Sequence, residues 1–203
     1  MRVLIACEES QTVCKEFRRL GHEAYSCDIE PCSGGRPEWH YQKDVTSILN
    51  QQWDLIIAHP PCTFLTNSGV CWLTGKNAKP GRWVDLDEGA RFFNMFLNHP
   101  CEKVAIENPI MHKYAIERVG RKHDCLVQPY QFGHTERKAT CFWLKGLPHL
   151  KETNNVKSEM LMLPKREQQK IHYMPPRKGR AKLRSKTFKG IAEAMANQWG
   201  GDR

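Results

Sequence analysis

Residues 55–58, Leu-Ile-Ile-Ala, are apolar at every position and run straight into His59-Pro60-Pro61-Cys62. A strand with no polar face has to be covered on both sides, as in a sheet with helices above and below it. Two adjacent prolines fix φ and remove two backbone donors, so the strand cannot continue through them. Cys62 is therefore expected just beyond a buried strand, at the carboxyl edge where open α/β sheets place their ligands.

The same cadence recurs along the chain. Residues 2–6 read as a first strand, and residues 10–20 as a helix with Ser10 as N-cap and Gly21 ending it. A second strand, HEAYSCDI, finishes at Asp28; residues 31–43 read as a Gly- and Pro-bearing loop, after which comes Asp44. Residues 63–84, rich in Gly, Asn, Thr and Trp, read as a long surface loop, a length usually tied to function or disorder. Phe92, Phe93, Phe96 and Leu97 give a helix over 85–98 its apolar face, and a strand over 103–108 ends at Glu107-Asn108-Pro109. Two strands are expected within 126–144, no clear period within 151–184, and a closing helix over 187–199. Alternating strands and helices predict an α/β fold with a mostly parallel sheet, as one domain over residues 1–203 without internal repeats.

Charge is unevenly spread. Residues 151–186 hold eleven Lys or Arg against three Glu, so this segment carries +8 of the formal +9. Such a block is either a solvated surface or a phosphate-binding one, and "RKGRAKLRSK" has the composition of the second. Nucleic acid is the expected partner, through Arg177, Lys178, Arg180, Lys182 and Arg184. Nine irregularly spaced cysteines point to free thiols in a reducing cytoplasm rather than to a disulfide framework. No stretch approaches the roughly 18 apolar residues of a membrane span, and the N-terminal run lacks the pattern of a secretory signal. Cys27, Cys32 and His40 lack a convincing fourth ligand, so no metal site is expected.

Asp28, Asp44 and Glu107 each follow a strand or short element and would share the carboxyl edge with Cys62. An acid after the second strand suits ribose hydroxyls; the plainer alternative makes Asp28 and Asp44 turn residues.

With these residues in place the chain resembles the DNA cytosine-C5 methyltransferases. "PPCTF" at 60–64 is similar to that family's Pro-Cys loop, and "ENP" at 107–109 to its Glu-Asn-Val motif. "QFGHTERKAT" at 131–140 resembles the arginine-containing motif, and "SKTFKGIAEAMANQW" at 185–199 the closing one. They stand in the family's order and cover nearly the whole chain. The resemblance implies a Rossmann-like S-adenosylmethionine-dependent methyltransferase fold and cytosine-containing DNA as substrate. Cys62 then matches the nucleophile that adds to cytosine C6, and Glu107 the carboxyl that contacts ring N3 and the exocyclic amine. Asp28 matches the ribose-binding acid and Asp44 the adenine-binding acid. Pro60 and Thr187 fall on the cofactor side, and either Arg137 or Lys138 supplies positive charge near the base.

The pattern is not followed throughout. The family's glycine-rich first loop reads "ACEESQTV", so Glu8, Glu9 and Ser10 are expected to bind the cofactor's methionine part through backbone N–H groups. The large target-recognition domain is missing, and the short basic segment 151–184 stands in its place. Phosphate contacts position without reading sequence, which predicts low sequence specificity. Compact members of this kind look like those carried by phages, acting as monomers in a bacterial or phage-infected cytoplasm. Two rivals stay open: an amino (N4/N6) methyltransferase, whose Asp-Pro-Pro-Tyr type motif is similar to "HPPC", and a DNA-binding protein that keeps the fold but has lost catalysis. Methylation of a free nucleotide is a further alternative.

Overall fold

Every second residue of the central strands points to the same side, and the two sides are covered by different helices. The computed structural model describes residues 1–176 and 178–201. Its strands are β1 (Arg2–Ala6), β2 (Glu23–Asp28), β3 (His40–Gln42), β4 (Leu55–Ala58), β5 (Val104–Asn108), β6 (Cys125–Val127) and β7 (Thr140–Lys145). They form one sheet in the order β3-β2-β1-β4-β5-β7-β6. Neighbours from β3 through β5 are parallel, whereas β7 runs antiparallel to both β5 and β6. This is a Rossmann-like arrangement with its reversed strand near one edge.

The helices are α1 (Thr12–Arg19), α2 (Thr46–Leu49), α3 (Arg82–Leu97), α4 (Lys113–Val119), α5 (Lys157–Met162), α6 (Lys165–Gln168), α7 (Lys170–Tyr173), α8 (Arg180–Ser185) and α9 (Lys189–Trp199). Val3, Ile5, Leu55, Ile57, Ala105 and Phe142 form a core with Val13 and Phe17 of α1 and Ile191, Met195 and Trp199 of α9. Leu4, Ala6, Ile56, Ala58, Ile106 and Trp143 form the other with Ile48 of α2, Leu86, Phe93 and Phe96 of α3 and Ala115 of α4. The fully apolar strands are thus those with helices on both sides, as the physics of burial requires. No helix among the described residues is long and apolar enough to cross a membrane.

Several boundaries differ from expectation for local reasons. Ser10 is not an N-cap: α1 starts at Thr12, and its N-cap position is Gln11 in the left-handed region (φ 58) with no capping bond from its side chain. Gly21 does end the helix, at φ 77 with its N–H on Arg18 O. The loop expected over 31–43 contains β3, which pairs with the free side of β2. The loop 63–84 holds two 3-10 turns, Asn67–Trp72 and Gly75–Asn77, and α3 begins earlier, at Arg82. The basic segment folds into four short helices, α5 to α8, and Thr187 precedes α9 rather than belonging to it.

Candidate functional site

Strand register brings the chemistry-bearing residues to one rim. Ala6 pairs with Cys27 and with Ala58, and Ala58 with Ile106. The residues that follow these positions meet at the carboxyl edge, around a cavity of about 520 Å³. Cys7 to Ser10, Asp28, His59 to Thr63 and Glu107 to Pro109 line it from the parallel strands. More of the wall comes from Lys138 and Ala139, just before β7, from Thr66, Ser68, Gly69, Trp72 and Arg82 after the Cys62 loop, and from Ile171, Ala181 and Arg184 to Thr187. Because β7 is reversed, its start lies on the same rim as the ends of its parallel neighbours.

The loop carrying Cys62 is held at several points. Its carbonyl accepts the N–H groups of Leu65 (3.1 Å) and Thr66 (3.2 Å), which turns the chain immediately after the prolines. Asn108 Nδ2 donates to Pro60 O at 2.9 Å, tying the loop to the end of β5. His112 donates its backbone N–H to Leu65 O (3.1 Å), and its Nε2 lies 3.0 Å from Phe64 O while Nδ1 accepts from Ala115 N (3.1 Å). The two ring contacts fix one tautomer, with the proton on Nε2.

Glu107 is buried in the cleft wall, with Oε2 3.1 Å from His59 Nδ1. A carboxylate only accepts, so Nδ1 donates. His59 Nε2 is buried without a hydrogen-bond partner among the described residues, an arrangement that typically costs about 1–3 kcal/mol. Burial pushes the Glu107 carboxyl up; the His59 hydrogen bond, the Lys138 ammonium and the His59 charge outweigh it, and the group sits below its ordinary value. The Cys62 thiol is pushed up, by burial first and then by the Glu107 charge, with Lys138 and Arg184 acting the other way. A thiol in that state is a guarded nucleophile: it becomes reactive where a proton acceptor or added positive charge arrives.

On the other half of the cleft, Asp28 is half-buried and Oδ1 accepts from Glu30 N at 2.9 Å. Glu8 works inward. Its carboxylate accepts from Val13 N (2.7 Å) and Cys14 N (3.2 Å), so it satisfies the start of α1 in place of the expected cap, and its own N–H is committed to Cys27 O (3.1 Å). Burial raises the Glu8 carboxyl, opposed by the His59 charge and by the bonds from Val13, Cys14 and Ser10. Glu9 accepts from Ser33 Oγ and from Lys182 Nζ, the latter at 3.2 Å. Cys7 and Gln11 both have φ 58, a strained conformation for residues with side chains that is often concentrated at functional sites.

The structure thus brings Cys62, Glu107, Lys138, Glu8, Glu9, Ser10, Asp28, Pro60, Arg184 and Thr187 to one cleft. Asp44 is not among its lining residues: it is exposed, and Oδ1 accepts from Thr46 N (2.9 Å) and Thr46 Oγ1 (2.8 Å), which hold the carboxyl below its usual value. Of the two cations in the 131–140 motif, Lys138 enters the cleft, with Nζ donating to Lys186 O at 3.1 Å. Arg137 is exposed, and its N–H is bonded to Gln168 O at 2.7 Å. In the basic segment, Lys178 is exposed, Arg180 Nε donates to Met174 O (2.7 Å), and Lys182 is paired with Glu9. Arg177 lies outside the described residues. Trp72 lines the cleft, whereas Trp83 packs edge-on against Tyr114 at 5.1 Å. Among the described residues, no group of three or more His, Cys, Asp or Glu is arranged to hold a metal ion.

Sequence reading left His59 open and missed Asn108, His112 and Arg82. All four act on a chain segment distant in sequence, which no local pattern announces; Arg82 NH2, for example, donates to Thr63 O at 3.1 Å. No family model matches the chain, and no curated protein matches it.

Proposed function

We propose that the chain is an S-adenosylmethionine-dependent DNA methyltransferase acting at cytosine C5. One observation carries this reading: Cys62, Glu107 and Lys138 share a single cleft with Asp28. A nucleophile, a carboxyl with an added cation, and a carboxylate suited to a ribose are what the reaction needs within reach of one another. The cavity falls within the usual 300–1,000 Å³ of small-molecule sites.

Asp28 would hold the cofactor's ribose hydroxyls, in the cleft it shares with Ser10 and Thr187. Bound there, S-adenosylmethionine supplies an electrophilic methyl group on its sulfonium sulfur. The Glu8 N–H is committed to Cys27 O, so of the three expected backbone donors the methionine end would fall to those of Glu9 and Ser10. Carbon 5 of cytosine is a poor nucleophile until Cys62 Sγ adds at C6. Glu107 takes the thiol proton and delivers it to ring N3 as the adduct forms. Lys138 favours the thiolate, and by favouring the Glu107 carboxylate it also favours delivery of the proton to N3. After C5 has taken the methyl group and lost its proton to water, the Sγ–C6 bond breaks and Cys62 leaves as thiolate.

The base has to leave its stack to reach Cys62. The exposed cations of the basic segment suit the flanking phosphates, which favours DNA with little sequence preference. The test is an oligonucleotide containing 5-fluorocytosine, incubated with protein and methyl-labelled cofactor. A covalent complex through Cys62 and labelled 5-methylcytosine on ordinary DNA are expected. Label on an exocyclic amine without any covalent complex would instead establish an amino methyltransferase. DNA binding with no label on any base would leave a non-catalytic binding protein.

A further inference from the structure

His59 is bonded to one of the two buried carboxylates of the cleft, that of Glu107. Nδ1 is 3.1 Å from Glu107 Oε2, the side chain is about nine-tenths buried, and Nε2 has no hydrogen-bond partner among the described residues. Toward the other half of the cleft it acts on Glu8 through charge. Its backbone is fixed: His59 N donates to Ala6 O at 2.9 Å, extending the β1–β4 ladder by one rung, and the next carbonyl, Pro60 O, is held by Asn108. The ring is therefore mounted on the sheet itself and not on a free loop.

The hydrogen bond ties up one oxygen of Glu107 and leaves Oε1 for a substrate. A carboxyl group in a cleft otherwise turns about its last bond and offers either oxygen in any orientation. Productive proton transfer needs that oxygen within hydrogen-bond reach of the acceptor, so fixing it is worth rate.

The geometry points to His59 as the positioning residue for Glu107 in the methyl transfer proposed above, on which this inference rests. As the Sγ–C6 bond forms, the C5=C6 π pair moves to C4–C5 and the C4=N3 π pair moves onto N3. N3 then takes the proton from Glu107 Oε1. When C5 has been methylated and loses its proton, the C5=C6 bond re-forms, the Sγ–C6 bond breaks, and N3 returns its proton to Glu107. His59 keeps its Nδ1 proton throughout and donates to Oε2 in every state. The charged groups acting on the pair are Glu8 on the His59 side and Lys138 on the Glu107 side.

Two substitutions separate donation from packing. His59→Asn places an amide N–H near the position of Nδ1, while His59→Phe keeps a ring of similar shape without a donor. The phenylalanine variant is expected to lose about 100-fold in kcat, the lower range for a general acid, with KM for cofactor and DNA within a few-fold. The asparagine variant should recover much of that loss. A second readout needs no activity: the carboxyl carbon of Glu107, followed by NMR in 13C-glutamate protein. Its titration midpoint should move upward in the phenylalanine variant, where burial is no longer opposed by the hydrogen bond, and stay near the wild-type value with asparagine. Equal kcat losses in both variants, or an unmoved Glu107 midpoint in His59→Phe, would overturn the assignment. Should His59→Phe fail to fold, His59→Gln sets the donor one carbon further out and is expected to lose kcat while remaining folded; full activity there would count against the idea equally. If wild-type protein transfers no methyl group, the methyltransferase reading fails, and the NMR titration still decides whether His59 governs Glu107.

Discussion

Cys62 and Glu107 restrain each other: the carboxylate raises the thiol, and a thiolate formed nearby would be felt by the carboxylate. Replacing Glu107 by Gln removes a negative charge, so the thiol should titrate at lower pH and more of it should be thiolate at any given pH. Alkylation of Cys62 by iodoacetamide, read by mass spectrometry across pH, should show the rate curve displaced to lower pH. An unmoved curve would mean that the two groups do not communicate. Cys62→Ser should abolish methyl transfer and leave cofactor affinity within a few-fold, measured by calorimetry. Asp28→Ala should weaken cofactor binding roughly ten- to a hundredfold, the worth of a charge-assisted hydrogen bond at about 1.5–3 kcal/mol, with DNA affinity little changed. The placement of these three residues was legible because each sits at or just beyond a strand end, and strand ends can be read from apolar runs and prolines. What their neighbours do was not. His59 and Glu107 meet across 48 positions of sequence, and the sequence left Asp44 open between a cofactor acid and a turn residue, whereas its carboxylate is taken up by Thr46 two residues on.

At the scale of elements, two contacts set the geometry of the part of the cleft proposed for the cofactor. Glu8 closes the start of α1 from inside the cleft, so Glu8→Ala would strand the N–H groups of Val13 and Cys14. A loss of about 1–3 kcal/mol in urea unfolding is expected, with Glu8→Gln losing less because one acceptor oxygen remains. At Gly190 an added Cβ would lie 1.9 Å from Phe132 O. Gly190→Ala must therefore push α9 off the turn at Pro129–Gln131, at a cost of about 1–3 kcal/mol. It should also weaken cofactor binding, since Thr187 enters α9 from the cleft. Both effects absent would show that the helix has room to shift. The parallel core was readable from composition and period. The direction of β7 was not, because Thr140–Lys145 is buried at five of six positions and looks alike read either way. The four short helices after Lys157 also escaped notice: none exceeds six residues, too short to hold without tertiary support.

For the whole molecule, the basic segment turns out to be a wall of the cleft as well as a charged surface. Lys178 is exposed, and if it touches a phosphate, Lys178→Ala should lower the log–log salt slope of DNA binding by about 0.9 while leaving cofactor affinity alone. Lys182→Ala should differ, because it releases Glu9 and is expected to alter cofactor affinity too. Equal behaviour of the two variants in paired calorimetric titrations would count against this division. The route by which that wall arrives sets a mechanical limit. β7 runs away from the rim, so the chain has to climb back along the sheet before α5 can form. Residues 146–153 make that climb, fastened to α9 by Trp199 Nε1 on Pro148 O (3.0 Å) and by the paired bonds between Lys151 and Gln198, until Asn154 bridges Phe132. Fully extended, such a stretch reaches about 26–29 Å, and a six-residue strand already spans about 20 Å. There is little slack. Shortening this tether by three residues, to a reach of about 17–18 Å, should draw Lys138's partner Lys186, and with it the basic wall, off the mouth of the cleft.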